Sequence, residues 1–285
     1  MQPAAIKIPL SWGTLAGLHW SRPGAPRVLC LHGWLDNAAS FIPLADHLQK
    51  FDLLALDLAG HGLSAHRPDH SRYYFNEYLY DLDEAIEALN WDSCHLIGHS
   101  MGGSLASCFA ATGPRRVQGL VLLDTVGMLS APAGQTTRQL RLSMLSVQKQ
   151  RSNLKPYKSV SDAIIARQGK SELSNKVAHL LCERSLEHTG EYYQWRTDPR
   201  LNWHSPQRMT EEQVLDILGE IRAPTLAMSS PTLAGFLGKN KLQRRFAAIA
   251  RLQHEAVDGH HHFHMEQAQL TAKSITEFLQ HQCSI

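Results

Sequence analysis

Residues 94–111 read CHLIGHSMGGSLASCFAA, and this stretch decides the fold. Its first part, 94–98, is a short apolar run typical of a strand, and 101–111 is a run of small residues typical of a helix. The motif between them is Gly98-His99-Ser100-Met101-Gly102, a G-x-S-x-G that follows a strand and opens a helix. Such a turn raises a serine hydroxyl above the sheet edge, beside the N–H donors of a helix N-terminus. The stretch therefore predicts an α/β fold with Ser100 as a nucleophile.

Strand-like and helix-like segments alternate on both sides of this stretch. A strand pair at 5–10 and 15–20, joined by a turn at Trp12-Gly13, opens the chain, and further strands are expected at 27–31, 52–56, 118–124, 224–228 and 252–257. Helices are expected at 38–49, 74–89, 101–111 and 267–280. Buried strands that alternate with helices indicate a mostly parallel sheet with helices on both faces.

The alternation stops between residues 130 and 208, where the sequence is polar and helix-prone and shows no strand-like run. We expect a helical cap at 130–208, inserted into a core formed by 1–129 and 209–285. From 130 to 210 the chain holds 13 Lys+Arg and 6 Asp+Glu, so this part carries +7 and the remainder −5. That charge fits a solvated helical face, or a cap whose field attracts anionic substrates.

Composition excludes several classes of protein. The 285 residues carry a net charge of +2, which argues against a nucleic-acid-binding protein, and 43% hydrophobic residues indicate an ordinary globular chain. The five cysteines show no CxxC spacing, so we expect buried reduced thiols and no disulfide framework, above all at Cys30, Cys94 and Cys108; the others are Cys182 and Cys283. No apolar run reaches about 18 residues and no signal-peptide pattern is present. We expect a cytoplasmic protein without stable membrane insertion; the sequence gives no sign of its oligomeric state.

A second motif, Leu31-His32-Gly33-Trp34, also stands at the end of an expected strand. Its tight loop can direct a backbone N–H, that of Trp34, to the same point as the N–H of Met101. Two such donors would stabilise a developing oxyanion. For the His32 side chain we favour a structural role in holding this loop.

The candidate general base lies in residues 259–266, GHHHFHME. Four histidines in five positions raise the question of a metal site. Adjacent histidines on one loop do not easily converge, however, and no cysteine or carboxylate partner has matching spacing. We therefore expect no metal and one histidine acting as base, with His260, His261 and His262 as the candidates.

A carboxylate is needed to orient that histidine, and two stand at strand ends. Asp124 ends the strand that follows the Ser100 helix, and the order Ser100, Asp124, histidine is typical of one large class of hydrolases. Asp57 also ends a strand, but it opens the turn-like segment DLAGHGLS and is interpreted as structural.

With these motifs in place, the sequence resembles the α/β-hydrolase superfamily, and more closely its serine hydrolase-like proteins. The segments that carry the resemblance are 29–41 LCLHGWLDNAASF, 53–68 LLALDLAGHGLSAHRP, 96–103 LIGHSMGG, 119–127 GLVLLDTVG, 195–203 WRTDPRLNW and 259–267 GHHHFHMEQ. The resemblance implies that Ser100 is the nucleophile and that the backbone of Trp34 and Met101 forms the oxyanion hole. Members often read G-G-H-x-x-x-x-E at the histidine loop, and counting back from Glu266 then selects His261.

The sequence departs from the superfamily at one place. Many members carry the acid after the next strand, but residues 224–233, PTLAMSSPTL, hold no carboxylate. This absence favours Asp124. A serine at position 100 excludes a dehalogenase or a typical epoxide hydrolase, since both need a carboxylate nucleophile.

The expected function is hydrolysis of carboxylic esters through an acyl-enzyme, with the triad Ser100, His261 and Asp124 and without metal or organic cofactor. The expected partner is a small-molecule ester or thioester. An acyl-CoA thioesterase is the alternative within enzymes, and a non-catalytic binding protein is the alternative outside them. Candidates for contact with the acyl group are Phe41, Met128, Trp195 and Phe263, with Tyr192, Tyr193, Trp203 and Trp34 as further aromatic candidates.

Overall fold

The structure is a computed structural model that describes residues 2–149, 155–169 and 171–283. The expected cap at 130–208 therefore contains residues 150–154 and 170, which lie outside the described residues, as does the side chain of Cys283. In the described ranges no helix has the length and apolar character needed to cross a membrane.

A mostly parallel sheet forms the centre of the molecule, as expected. The strands are β1 (Ala4–Leu10), β2 (Gly13–Trp20), β3 (Arg27–Leu31), β4 (Asp52–Leu56), β5 (Cys94–His99), β6 (Val117–Leu123), β7 (Leu186–His188), β8 (Tyr193–Trp195), β9 (Thr225–Ser229) and β10 (Leu252–Ala256). The sheet order is β1-β2-β4-β3-β5-β6-β9-β10, and only β1–β2 and β2–β4 among its described pairs are antiparallel. The carboxyl ends of the parallel strands therefore meet at one edge, where Asp57, Ser100 and Asp124 follow β4, β5 and β6.

Helices cover both faces of this sheet. They are α1 (Ile42–Ala45), α2 (Glu77–Ala88), α3 (Met101–Thr112), α4 (Thr136–Lys149), α5 (Val160–Gln168), α6 (Asn175–Ser185), α7 (Glu211–Gly219), α8 (Pro231–Leu237), α9 (Lys239–Ala248), α10 (Phe263–Glu266) and α11 (Ala268–Cys283). One apolar cluster joins the sheet to α2, α3, α7 and α9, and a second joins it to α1 and α11. Successive residues of β3 alternate between the two clusters, because side chains along a strand point to opposite faces.

The expected buried thiols are confirmed at three positions. Cys30, Cys94 and Cys108 are free and buried within these two clusters. Burial raises the pKa of Cys94 and of Cys108 to about 12, so both remain protonated and unreactive.

The segment between β6 and β9 has a small apolar cluster of its own, formed mainly by α5, α6 and β7. Helix α5 begins with a capping box in which Ser159 and Asp162 bond each other's backbone N–H. The sequence predicts no strand in this segment. That prediction is wrong, because β7 and β8 form an antiparallel hairpin. Each strand is only three residues long, and a segment this short does not show a recognisable alternation of polar and apolar residues.

Two other boundaries differ from expectation. The helix expected at 38–49 is a 3₁₀ turn, Ala38–Phe41, followed by the single turn of α1. The Asn37 side chain starts this turn by accepting a hydrogen bond from the N–H of Ala39. The helix expected at 74–89 begins only at Glu77, so the aromatic residues before it lie in turns.

Candidate active site

Ser100 lies between β5 and α3 in a strained backbone conformation, with φ 52° and ψ −116°. Positive φ is uncommon for a residue with a Cβ and is held here by the surrounding backbone. The Ser100 N–H donates to the carbonyl of Leu123 on β6 at 3.1 Å. A Cβ at Gly102 would lie 2.1 Å from the carbonyl oxygen of Leu31, and one at Gly98 would lie 2.4 Å from Gly103. Only glycine therefore allows the turn to pack this closely against β3.

Three side chains from separate loops meet at this turn. The His261 Nε2 lies 3.0 Å from the Ser100 Oγ, and the His261 Nδ1 lies 2.7 Å from an oxygen of Asp124. Because a carboxylate only accepts, Nδ1 carries the proton and Nε2 is left to accept from the serine hydroxyl. The structure thus brings together Ser100, Asp124 and His261, the three residues that the sequence predicts as a triad.

Backbone donors hold the Asp124 carboxylate in place. Its second oxygen accepts from the N–H of Ser230 at 2.8 Å, and its own N–H donates to the carbonyl of Met228 at 2.9 Å. Asp124 is buried and has φ 52°, a second strained residue at the same sheet edge. The segment after β9, which lacks a carboxylate, therefore positions the acid that follows β6.

The other histidines of the loop make different contacts. His260 is exposed and pairs with Glu172, whereas His262 Nε2 lies 3.1 Å from Asp36. His264 Nε2 lies 2.8 Å from the Ser40 hydroxyl. Of the four histidines in this loop, all of them described, only His261 is hydrogen-bonded to Ser100.

His32 holds the loop after β3, as expected. Its Nε2 accepts from the N–H of Leu58 at 2.9 Å, so Nδ1 is the donor to the Gly33 carbonyl at 2.7 Å. Burial lowers the pKa of His32, which keeps the ring neutral in this role. The Trp34 indole donates to the carbonyl of Leu201 at 3.2 Å. Met101 is the first residue of α3, so its N–H has no acceptor within the helix.

Asp57 makes the structural contacts expected of it. Its carboxylate is fully buried and accepts from the backbone N–H of Ala38 at 2.7 Å and of Leu63 at 2.9 Å. The Arg184 Nε of α6 lies 3.0 Å from both of its oxygens. Asp57 therefore joins the loops at the sheet edge to the segment between β6 and β9.

A cleft of about 120 Å³ lies beside Trp34 and Met101. Its walls are largely aromatic, and its lining includes Arg72, Tyr73, Tyr74, Phe75, Trp203 and Pro206. The sequence analysis does not identify the contribution of 72–75: Tyr74 and Phe75 fall within the helix expected at 74–89, and no role is expected for Arg72 and Tyr73. The run of three aromatic residues at 73–75 was the available signal.

The structure places the four expected acyl-contact residues elsewhere. Phe41 and Phe263 are 0% and 1% exposed in the core beneath the sheet, and Met128 packs in the opposite cluster against Cys108. Trp195 packs on Tyr157 in the small cluster of the inserted segment. These four residues were expected to contact the acyl group, but none of them lines the cleft. Aromatic and apolar character alone does not distinguish a core residue from a pocket residue.

Of the further aromatic candidates, Trp34 and Trp203 line the cleft, whereas Tyr192 is exposed and Tyr193 packs against the small cluster.

This chain belongs to the α/β hydrolase fold family, whose model matches residues 26–266. Its similarity to serine hydrolase-like proteins is also confirmed. A serine hydrolase-like protein of Danio rerio is 30% identical, over 97% of this chain and 88% of the relative. A serine hydrolase-like protein of Dictyostelium discoideum is 32% identical, over 93% of this chain and 78% of the relative.

A solved structure agrees with this assignment. A hypothetical protein from Pseudomonas aeruginosa PAO1 superposes with a TM-score of 0.91 and is 29% identical, over 98% of this chain and 100% of that one. The two chains therefore share the same overall fold.

Proposed function

We propose that this protein is a serine hydrolase that cleaves carboxylic esters. The observation that carries the proposal is the continuous hydrogen-bonded chain from the Ser100 Oγ through both nitrogens of His261 to Asp124. In that chain the base touches the nucleophile, and the buried carboxylate fixes the tautomer of the base.

The first half of the reaction forms an acyl-enzyme. The Ser100 Oγ attacks the ester carbonyl carbon while His261 Nε2 takes the hydroxyl proton, and Asp124 stabilises the resulting imidazolium. The N–H groups of Trp34 and Met101 bind the oxyanion, each contributing roughly 3–4 kcal/mol to the transition state. The C–O bond to the alcohol then breaks, and His261 returns its proton to the leaving oxygen.

The second half releases the acid. His261 takes a proton from water, whose oxygen attacks the acyl carbon, and the bond to the Ser100 Oγ breaks as the serine recovers its proton. The segment 130–208, as a cap over the cleft, would limit which acyl groups reach Ser100. The aromatic walls and the modest volume of the cleft favour a short or flat apolar group.

A second candidate is hydrolysis of a thioester with an anionic carrier, such as an acyl-CoA. The observation that favours it is the exposed Arg72, whose guanidinium lies over the Trp203 ring at 5.0 Å in the wall of the cleft. A positive group at the entrance would attract an anionic substrate, an effect that salt screens.

One substrate panel tests both candidates. Purified wild type and Ser100→Ala are assayed with p-nitrophenyl esters of two to sixteen carbons and with matched acyl-CoA thioesters. We expect turnover of the short neutral esters that disappears in Ser100→Ala and depends little on salt. Faster thioester turnover that declines as salt rises would select the second candidate. Equal activity in wild type and Ser100→Ala would refute both.

A further inference from the structure

A buried group of metal-ligating side chains lies directly behind the loop that carries His261. Asp36 and His262 come from two different loops and His99 from the end of β5, and one ligand atom of each lies within 4.8 Å of the others. All three are buried, at 2%, 1% and 6% exposure. We call this group the Asp36–His99–His262 cluster. The expectation of no metal considered partners along the sequence only, whereas here the histidine loop meets residues that follow β3 and end β5.

The tautomer of His99 makes this cluster unusual. His99 Nε2 lies 2.9 Å from the carbonyl oxygen of His261, so it must carry the proton and donate. A neutral ring then has a bare lone pair at Nδ1. That nitrogen has no hydrogen-bond partner among the described residues and lies 3.7 Å from an oxygen of Asp36. Two buried acceptors therefore face each other.

A cation between His99 Nδ1 and the Asp36 oxygen would satisfy both acceptors. Burial lowers the pKa of His99 well below its ordinary value, and the neighbouring histidines lower it further. Burial raises the pKa of Asp36, but His262 and Arg167 outweigh it and hold that pKa well below its ordinary value. A neutral imidazole and an ionised carboxylate are the forms that bind a divalent transition metal.

Two of the three separations between ligand atoms suit such an ion. Bonds of about 2.1 Å to zinc would span the 3.7 Å from His99 Nδ1 to Asp36 at an angle of about 125°, and the 3.1 Å from His262 Nε2 to Asp36 at about 95°. Arg167 binds the other oxygen of Asp36, which leaves the facing oxygen available. Gly33 keeps the space open, since a Cβ there would lie 2.9 Å from His99 Nδ1.

We propose that Asp36, His99 and His262 form a binding site for a divalent transition metal of the zinc class, with water completing the coordination. In the metal-free form the proton on His262 Nε2 points to Asp36; in the metal-bound form that proton would reside on Nδ1, which leaves Nε2 free to ligate the ion. The site is separate from the serine chemistry and does not depend on it. It adjoins that chemistry, since His262 follows His261 in the chain and His99 precedes Ser100.

The test is metal binding to the full-length protein. Protein stripped with EDTA is titrated calorimetrically with Zn²⁺, for wild type and for His99→Gln and His262→Gln. Glutamine at 99 retains an amide that can donate to the His261 carbonyl, but it lacks the ligand atom at Nδ1. The matched control is His260→Gln, since His260 is an exposed histidine of the same loop outside the cluster.

We expect wild type and His260→Gln to bind one Zn²⁺ with equal affinity, and each cluster variant to bind it at least about tenfold more weakly. Failure of wild type to bind one ion, or equal binding by all variants, would overturn the site. If the cluster variants do not fold, the test is made on the wild-type protein alone. Co²⁺ must then give visible absorption of a bound ion and broaden the imidazole NMR signals of His99 and His262, and absence of either effect would overturn the proposal.

Discussion

The sheet and the segment between β6 and β9 are built in different ways. The central strands of the sheet are buried between two large apolar clusters, with Leu29, Leu54 and Leu122 fully inaccessible. The inserted segment has one small cluster, and its helices reach the sheet edge through polar contacts. Arg184 of α6 binds Asp57, and Arg167 of α5 binds Asp36.

This difference separates what determines the fold from what shapes the site. Burial of apolar area stabilises the sheet and its topology independently of the segment between β6 and β9. The contacts of the inserted segment, in contrast, end on loops that surround Ser100. The Asn37 amide, for example, donates to the Leu181 carbonyl at 2.9 Å and to the Ser185 hydroxyl at 2.7 Å. Changes to these contacts should therefore alter substrate choice before they alter the fold.

The largest expected effect comes from the two carboxylates at strand ends, Asp124 and Asp57. Asp124→Asn should lower kcat by about 10⁴-fold, because the amide favours the wrong tautomer of His261. Its stability should stay near that of wild type, since the amide oxygen can still accept from the N–H of Ser230. Ester hydrolysis and thermal unfolding, measured on the same samples, check both statements.

Asp57→Asn is the matched control and should behave in the opposite way. It leaves the Arg184 guanidinium without a charged partner at a buried position, a loss of about 3 kcal/mol in the free energy of unfolding. Its kcat should fall far less than that of Asp124→Asn. If the two variants lost activity to the same extent, the separation between orienting and structural carboxylates would be wrong.

The next largest effect, on the free energy of unfolding, is expected from an ion pair outside the inserted segment. Glu211 of α7 binds the buried Arg245 of α9 at 2.7 Å. Glu211→Gln should lower the free energy of unfolding by about 3 kcal/mol, because a buried guanidinium loses its charge partner. KM should not change, since neither residue lines the cleft. A changed KM with unchanged stability would contradict the comparison.

The same pair predicts a pH dependence. Hydrogen bonds from Arg245 and Ser130 lower the pKa of Glu211 to about 2, from an ordinary value of 4.5. A carboxylate with a lowered pKa stabilises the folded state above its unfolded pKa and loses that contribution as pH falls through the folded one. The stability difference between wild type and Glu211→Gln should therefore be full above pH 4.5 and shrink towards pH 2. Urea unfolding at several pH values measures it.

The smallest effect should come from His260, whose exposed ring pairs with Glu172 of the inserted segment. Exposed pairs contribute little because water screens both charges, so His260→Gln should change stability by less than about 1 kcal/mol. Chemical denaturation provides the value. A loss as large as that of Asp57→Asn would show that exposed contacts such as His260–Glu172, and not the ion pairs of Arg167 and Arg184, hold the inserted segment in place.

The positions of the sheet strands along the chain and the three candidate catalytic residues could be predicted because both follow from local patterns. A short apolar run marks a buried strand, and Ser100, Asp124 and His261 each stand at or after such a run. Parallel strands bring those ends to one edge, so spacing along the chain was enough.

The cleft and the Asp36–His99–His262 cluster could not be predicted in this way. Both depend on which side chains from distant loops face each other, as His99 and Asp36 do. Phe41 and Tyr73 show the same limit, since both are aromatic residues near strand or helix ends, yet one is in the core and the other lines the cleft. Their burial is set by tertiary packing, which the aromatic character of a residue does not reveal.

Labelling with a fluorophosphonate tests most directly whether Ser100 is an activated nucleophile. The reagent phosphonylates only a serine whose proton a neighbouring base removes, and peptide mass mapping locates the label. We predict one label per chain, on Ser100, absent in Ser100→Ala and formed much more slowly in Asp124→Asn. A wild-type protein that takes up no label, or is labelled at another residue, would contradict the account and favour a non-catalytic member of the family.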